Sequence, residues 1–176
     1  AKIFPLGDPP EYDPLPETSI AHQPNALVCT PEELAYDMLM ENNATAILYR
    51  PLSNYAYGNL DTVFDMMNDP NALVGLGDGG AHVGVLTDAS AVTYMLTHWA
   101  RDRSRGARVN ITDAIKRLTS DNANAIGLKD RGVLKVGKKA DINVINFSKL
   151  KINTPEVLYD LPSGGRRMVQ RIEGYD

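Results

Sequence analysis

Four stretches of the chain carry apolar residues at helical spacing. Thr30-Pro31-Glu32-Glu33 predicts a helix start, with Thr30 as N-cap, Pro31 at the first turn and Glu33 at N3, so capping, φ and dipole agree. Leu34, Ala35, Met38 and Leu39 then form its apolar stripe, and Asn42-Asn43 ends it. A second helix opens at Asn59 or Asp61, with Leu60, Val63, Phe64 and Met67 on one face and Pro70 beyond its end. A third is capped by Asp88 or Ser90 and repeats Val92, Met95, Leu96 and Trp99 at i, i+3, i+4 and i+7. A fourth runs from Asn110 through Ala114, Ile115, Leu118, Ala125 and Ile126 to Gly127, which is suited to the left-handed position past a helix end.

Between the helices, Ala44–Leu48 and Ala72–Leu76 read as short buried strands. After residue 130 the helical period disappears. Val133, Leu134 and Val136, then Ile142, Val144 and Ile145, then Met168, Gln170 and Ile172, predict β-strands joined by turns such as Gly137-Lys138. The order is strand–helix–strand–helix–helix followed by a strand cluster: an α/β segment with a β appendix. Residues 1–30 are expected to be an irregular arm or a piece of a lid, because Pro5, Pro9, Pro10, Pro14, Pro16 and Pro24 remove backbone donors throughout it.

Composition narrows the class. Hydrophobic residues make up 43% and charged ones 23%, values of an ordinary folded domain. The net charge of −4 argues against a dedicated nucleic-acid binder. Arg101, Arg103, Arg105 and Arg108 cluster, but Asp102 interrupts them and no aromatic residue interleaves, so they are expected at a solvated helix end. Cys29 is the single cysteine, which excludes an intrachain disulfide and a thiolate metal cage. No apolar run approaches the ~20 residues of a bilayer span, and Ala1–Leu6 lacks a signal-peptide core. A cytoplasmic location without a membrane partner is expected. At 176 residues the chain is also too short to close a (β/α)₈ barrel, which takes roughly 250.

The densest chemistry lies in Gly75-Leu76-Gly77-Asp78-Gly79-Gly80-Ala81-His82. The glycines satisfy GxGxxG literally, but a dinucleotide site needs a helix N-terminus directly after them, and Asp78 would set negative charge beside a phosphate. Two readings remain open on spacing alone. In one, Asp78-Gly79 is the turn of a hairpin whose arms alternate through Val74, Leu76, Ala81, Val83 and Val85. In the other, Asp78 is a catalytic carboxylate at the C-terminal end of a buried parallel strand, between glycines that let substrate approach the backbone. As a base it would take a proton from a metal-activated water and return it to a leaving group.

The segment Gly75–Val83, Leu96-Thr97-His98-Trp99 with Arg101-Asp102-Arg103, and Thr119–Leu128 resembles the last part of the N-acyl-D-amino-acid deacylases. These are D-aminoacylase-like members of the amidohydrolase superfamily. The similarity is densest over Asp130–Val144, and it continues in Leu161-Pro162-Ser163-Gly164-Gly165-Arg166-Arg167 and Gly174-Tyr175. Upstream, Glu33–Asp37 and Asn59–Asp61 also fit.

The resemblance implies the C-terminal part of a metal-dependent TIM-type β/α barrel with strands of a small accessory β-domain. Residues 31–128 would be terminal β/α units of the incomplete barrel, and 129–176 the C-terminal strands of the accessory domain. Asp78 would contact a catalytic zinc and act as acid/base, with Gly79, Gly80 and His82 lining the substrate, an N-acyl amino acid. Gly77 stands where the family usually carries serine.

The rest of a zinc site is not legible in the chain. Such a site takes about three protein ligands plus an open position, whereas His22, His82 and His98 are the only histidines and none forms a His-x-His pair. His22 lies in the proline-rich arm, and His98, four residues from Tyr94 and beside Trp99, is expected to be packed. Cys29 is not promoted to a ligand. The expected strands at 44–48 and 72–76 would also expose unpaired edges. The partner expected on both counts is the N-terminal barrel portion, or a second copy of the chain, and the chain alone is expected to be inactive. The competing readings are a non-catalytic α/β binding or structural protein in which Asp78-Gly79 is only a turn, and a cyclic-amide hydrolase of the same superfamily.

Overall fold

The computed structural model describes residues 2–23, 28–75, 77 and 79–176. The chain divides into two compact units, Ala1–Phe64 and Asp65–Asp176.

In the first unit the helix expected after Thr30 forms as α1 (Pro31–Ala44). The Thr30 hydroxyl accepts from Glu33 N at 3.2 Å while Thr30 N donates to Glu33 Oε2 at 2.8 Å. Two amides that have no partner inside the helix are thereby satisfied reciprocally. Leu34 is its buried contact, and the regular turns end at Met40, because Glu41 is extended and Asn42 and Asn43 take positive φ.

The strand expected over 44–48 is reduced to β2 (Leu48–Tyr49), which pairs antiparallel with β1 (Phe4–Pro5). The proline-rich start therefore supplies a strand as well as irregular chain. Its apolar side chains make the core of this unit: Phe4, Leu6 and Ile20 are buried, and Phe4 meets Tyr55 edge to face at 5.9 Å. The Tyr55 hydroxyl donates to Pro14 O, and the Lys2 ammonium to Tyr55 O at 2.6 Å. The helix α2 (Asp61–Asn68) spans the division between the units and half-buries Val63, Phe64 and Met67, the face its spacing predicts.

The second unit is built on two long helical runs. The turn Asp88–Ser90 leads into α3 (Ala91–Tyr94), which widens into a π-helical stretch over Met95–Asp102. Met95, Leu96 and Trp99 are buried as their spacing requires, whereas Val92 is exposed. Asn110 caps α4 (Ile111–Lys116) by accepting from Thr112 N at 2.9 Å. The run continues through a second π-helical stretch, Arg117–Asp121, into α5 (Asn122–Ala125). Gly127 follows with φ +79°, the left-handed stop expected of it.

The arginine cluster is not the solvated helix end its sequence predicts. Arg103 is 1% exposed, lies over the Trp99 ring and donates to Ala107 O at 2.7 Å. Arg101 pairs with Asp102 and also donates to Leu150 O at 2.8 Å, while Arg108 donates to Arg103 O and Arg101 O, each at 2.8 Å. A planar guanidinium can satisfy several carbonyls at once, and here it closes the loop after the π-helical stretch.

The strand cluster also differs from expectation. Among the described residues there are three two-stranded antiparallel sheets and no closed barrel. β3 (Lys151–Ile152) pairs with β6 (Ile172–Glu173), and β4 (Glu156–Leu161) with β5 (Gly165–Val169). The strands expected at 133–136 and 142–145 do not form, and Ile145 makes a single bridge to Tyr175. A strand exists only where a second backbone meets its donors and acceptors. Residues 129–141 instead close on themselves. Lys139 N donates to Asp130 O at 2.7 Å, and Arg131 bridges Asp130 and Asp141. Leu134 and Val136 consequently stand 84% and 101% exposed. Of the strand expected over 72–76, residues 72–75 form none, and Leu76 lies outside the described residues.

Candidate functional site

The glycine-rich segment is described at Gly75, Gly77 and Gly79 onward; Leu76 and Asp78 lie outside the described residues. From Gly79 the chain turns and folds back on the segment that starts α3. A methyl group in place of a Gly77 hydrogen would lie 2.9 Å from Asp88 O, and one at Gly79 would lie 3.2 Å from Ala89 Cα. The absence of side chains at these two positions is therefore what lets the loop lie directly on the Asp88–Ser90 turn.

Gly80 has φ +97°, a conformation that glycine adopts without strain. His82 also has a positive φ, +47°, and its side chain is exposed. The His82 carbonyl accepts from Val85 N at 2.9 Å and from Leu86 N at 3.1 Å, so a tight turn follows. Residues 79–87 form turns and irregular backbone, so the hairpin arm expected over Ala81–Val85 does not form. Helix α3 begins only at Ala91, after the Asp88–Ser90 turn, which removes the helix N-terminus that a dinucleotide loop would need directly behind its glycines.

The loop is braced from the C-terminal hairpin. Met168 N on β5 donates to Val83 O at 2.6 Å, and the Ser90 hydroxyl donates to Gln170 Oε1 at 2.6 Å. Gln170 Nε2 in turn donates to Asn153 O at 2.9 Å, and Thr93 Oγ1 lies 2.9 Å from the Tyr175 hydroxyl. Residues 79–93 are thus tied to 153–175 by side-chain and backbone bonds. Alternation within the 168–172 run hints that one face of it is buried, but it does not name the loop that face meets.

The remaining histidines are engaged elsewhere. His22 Nδ1 and Ser19 Oγ are 2.7 Å apart. His98 stacks on Tyr94 with ring centroids 4.5 Å apart and planes at 5°, and meets Trp99 edge to face. Burial pushes its pKa down to about 4, and the nearby positive charge of Arg103 adds to this against the opposing pull of Asp102. This is the packed role its place beside Trp99 predicts. Among the described residues no three His, Cys, Asp or Glu side chains converge, so these residues do not fit a zinc shell. No helix among them is long and apolar enough to cross a membrane.

Comparison with family models carries the identification. Residues 17–169 match the amidohydrolase family. The chain belongs to that family. Membership makes this amidohydrolase a hydrolase of the superfamily, whose members are commonly metal-dependent, although its own described residues gather no metal shell. The matched span includes the glycine-rich loop, both helical runs and the β4–β5 hairpin. Comparison with curated proteins and with solved structures gives no match.

Proposed function

We propose that the protein is the C-terminal portion of an amidohydrolase that cleaves the amide bond of N-acyl-D-amino acids, with Asp78 as its acid/base residue. The observation that carries this reading is the family match across residues 17–169, which contains the motif Gly75-Leu76-Gly77-Asp78-Gly79-Gly80-Ala81-His82. In the bond-breaking step, water adds to the acyl carbon and the C–N bond then breaks with a proton delivered to nitrogen. A carboxylate can perform both transfers, taking the proton from the attacking water and returning it to the amine that leaves. Gly80, where a methyl group would meet nothing within 4 Å, and the exposed His82 ring support a substrate-lining role for this loop, while the bare face of Gly79 lies against Ala89. Zinc dependence belongs to this proposal, with its histidine ligands supplied from outside these residues by a complementary barrel portion or a second copy.

Asp78→Asn in the complete enzyme tests it. Loss of a general acid/base lowers turnover by about 10²–10⁴-fold, with an unchanged thermal unfolding transition. Turnover of N-acyl-D-amino acids that survives the substitution overturns the role of Asp78. Cleavage confined to cyclic amides overturns the substrate.

A further inference from the structure

The β4–β5 hairpin carries two adjacent arginines, and the structure puts them to different uses. Pro162–Gly164 form its turn, with Ser163 and Gly164 both at positive φ. On β5, Arg167 stands opposite Leu158 and forms a two-bonded pair with Asp160, 2.8 Å from Nε and 2.7 Å from Nη2. That guanidinium is committed to holding the hairpin together.

Successive strand residues point to opposite faces, so Arg166 leaves the sheet on the other side. There it meets the segment that follows His82. A methyl group in place of a Gly84 hydrogen would lie 3.8 Å from Arg166 Nε, an ordinary contact distance, so the guanidinium lies beside this stretch of backbone. The bond from Met168 N to Val83 O holds the two segments in this register.

Among the described residues the charge of Arg166 meets no opposite charge. Arg171 is paired with Glu156, and Arg131 with Asp130 and Asp141. Arg166 is exposed, and no hydrogen bond or ion pair of its side chain is found among the described residues. An arginine fork presents donors that match a carboxylate with two parallel bonds. An N-acyl amino acid carries one carboxylate, adjacent to the nitrogen of the bond to be cleaved.

We propose that Arg166 binds the carboxylate of the acyl amino acid at the glycine-rich loop. This rests on the substrate class proposed above. Arg166 is a recognition residue here, while proton transfer stays with Asp78. It selects acyl amino acids over neutral amides of the same size.

The test compares N-acetyl-D-leucine with N-(3-methylbutyl)acetamide, the same molecule without its carboxylate. Binding to the chain is followed by the Arg166 Nε–Hε resonance and by titration calorimetry. The acid is expected to bind with a saturating shift of that resonance, and the neutral amide at least about 10-fold more weakly. A charge-assisted bidentate contact leads us to expect a loss of roughly 10–100-fold with Arg166→Gln, partial recovery with Arg166→Lys, and no loss with Arg167→Gln.

Equal affinity for the two ligands, no binding of the acid, or an unchanged affinity in Arg166→Gln overturns the proposal. In the complete enzyme, kcat/KM for the acid unchanged by Arg166→Gln overturns it while the hydrolase reading stands. Conversely, carboxylate binding through Arg166 by an enzyme that does not cleave acyl amino acids overturns the hydrolase reading alone.

Discussion

The guanidinium of Arg103 lies over the indole of Trp99, its central carbon 4.7 Å from the ring centroid. The contact is desolvated, since Arg103 is 1% and Trp99 5% exposed. A cation taken from water needs compensation, and here the ring face and the Ala107 carbonyl at 2.7 Å provide it. The pair closes the long helical run on the loop that leads to Asn110, whose cap then starts α4.

Arg103→Ala therefore removes packing, a charge-assisted hydrogen bond and the partner of Ala107 O together. We expect a loss of about 2–4 kcal/mol, measured by urea unfolding. Arg108→Ala, which removes surface bonds to the carbonyls of Arg103 and Arg101, should cost less. Equal losses for the two variants would contradict the weight given to the buried pair.

His98 makes stability fall in weak acid. Its folded-state pKa is about 4 against an ordinary 6.5. Above 6.5 the ring is neutral in folded and unfolded chains alike, and it contributes no pH dependence. Between 6.5 and 4 the unfolded chain takes up a proton that the folded one refuses, so stability drops across this window and the loss levels off below it. For a ring not wholly enclosed the loss is about 2 kcal/mol. Unfolding curves at pH 7 and pH 4.5 should show it, and His98→Phe should reduce the difference.

Thr30→Ala opens the capping box of α1. The usual cost of losing such a cap is ~1 kcal/mol. The backbone and side-chain bonds from Thr30 hold the Glu33 carboxyl below its ordinary pKa. The ionised form is thus the stabilising one above the normal carboxylate range, and its contribution is lost as pH falls through the depressed value. A carboxyl-detected titration should find Glu33 closer to its ordinary value in Thr30→Ala.

Gly132 and Gly127 separate strain from contact. Both have positive φ, +84° and +79°, but a methyl group at Gly132 would lie 2.9 Å from Ser120 Cα, while one at Gly127 meets nothing within 4 Å. Alanine at Gly127 should cost about 1 kcal/mol of backbone strain. Alanine at Gly132 should cost about 2–4 kcal/mol, because overpacking adds to the strain. Equal destabilisation would show that Gly132 does not lie against Ser120.

Zinc added to the 176-residue chain should not bind stoichiometrically in a calorimetric titration. His22 is held by Ser19, His98 is stacked on Tyr94, and no three candidate ligands converge among the described residues. One zinc per chain at sub-micromolar affinity would overturn this.

Helix ends were legible because their determinants are local. The bonds at Thr30 and Asn110 reach only two or three residues along the chain, and Gly127 stops its helix with its own φ. Residue type and spacing contain all that such bonds need. The burial of Met95, Leu96 and Trp99 followed for the same reason, since a helix that forms must turn its apolar stripe inward.

Strand pairing was not legible. Val133, Leu134 and Val136 have the β-branched and apolar character of a strand, yet they form none, while Phe4–Pro5 in the proline-rich start pairs with Leu48–Tyr49. Of the β4–β5 hairpin, with charged residues inside it, only the Met168 end of β5 falls within a run that alternation predicts. A ladder is decided by which distant backbone arrives with free donors and acceptors, and alternation specifies only which side chains would share a face.

By itself, then, the sequence determined the helices, their caps and the glycine-rich segment around Asp78 that marks the chain as chemically interesting. Tertiary structure alone decided that Arg103 is buried while Arg166 is not, and that β5 lies against the segment after His82. Both arginines look alike in a charge pattern. What separates them is the partner each meets at a distance: an indole face and a carbonyl for one, a bare glycine and open solvent for the other.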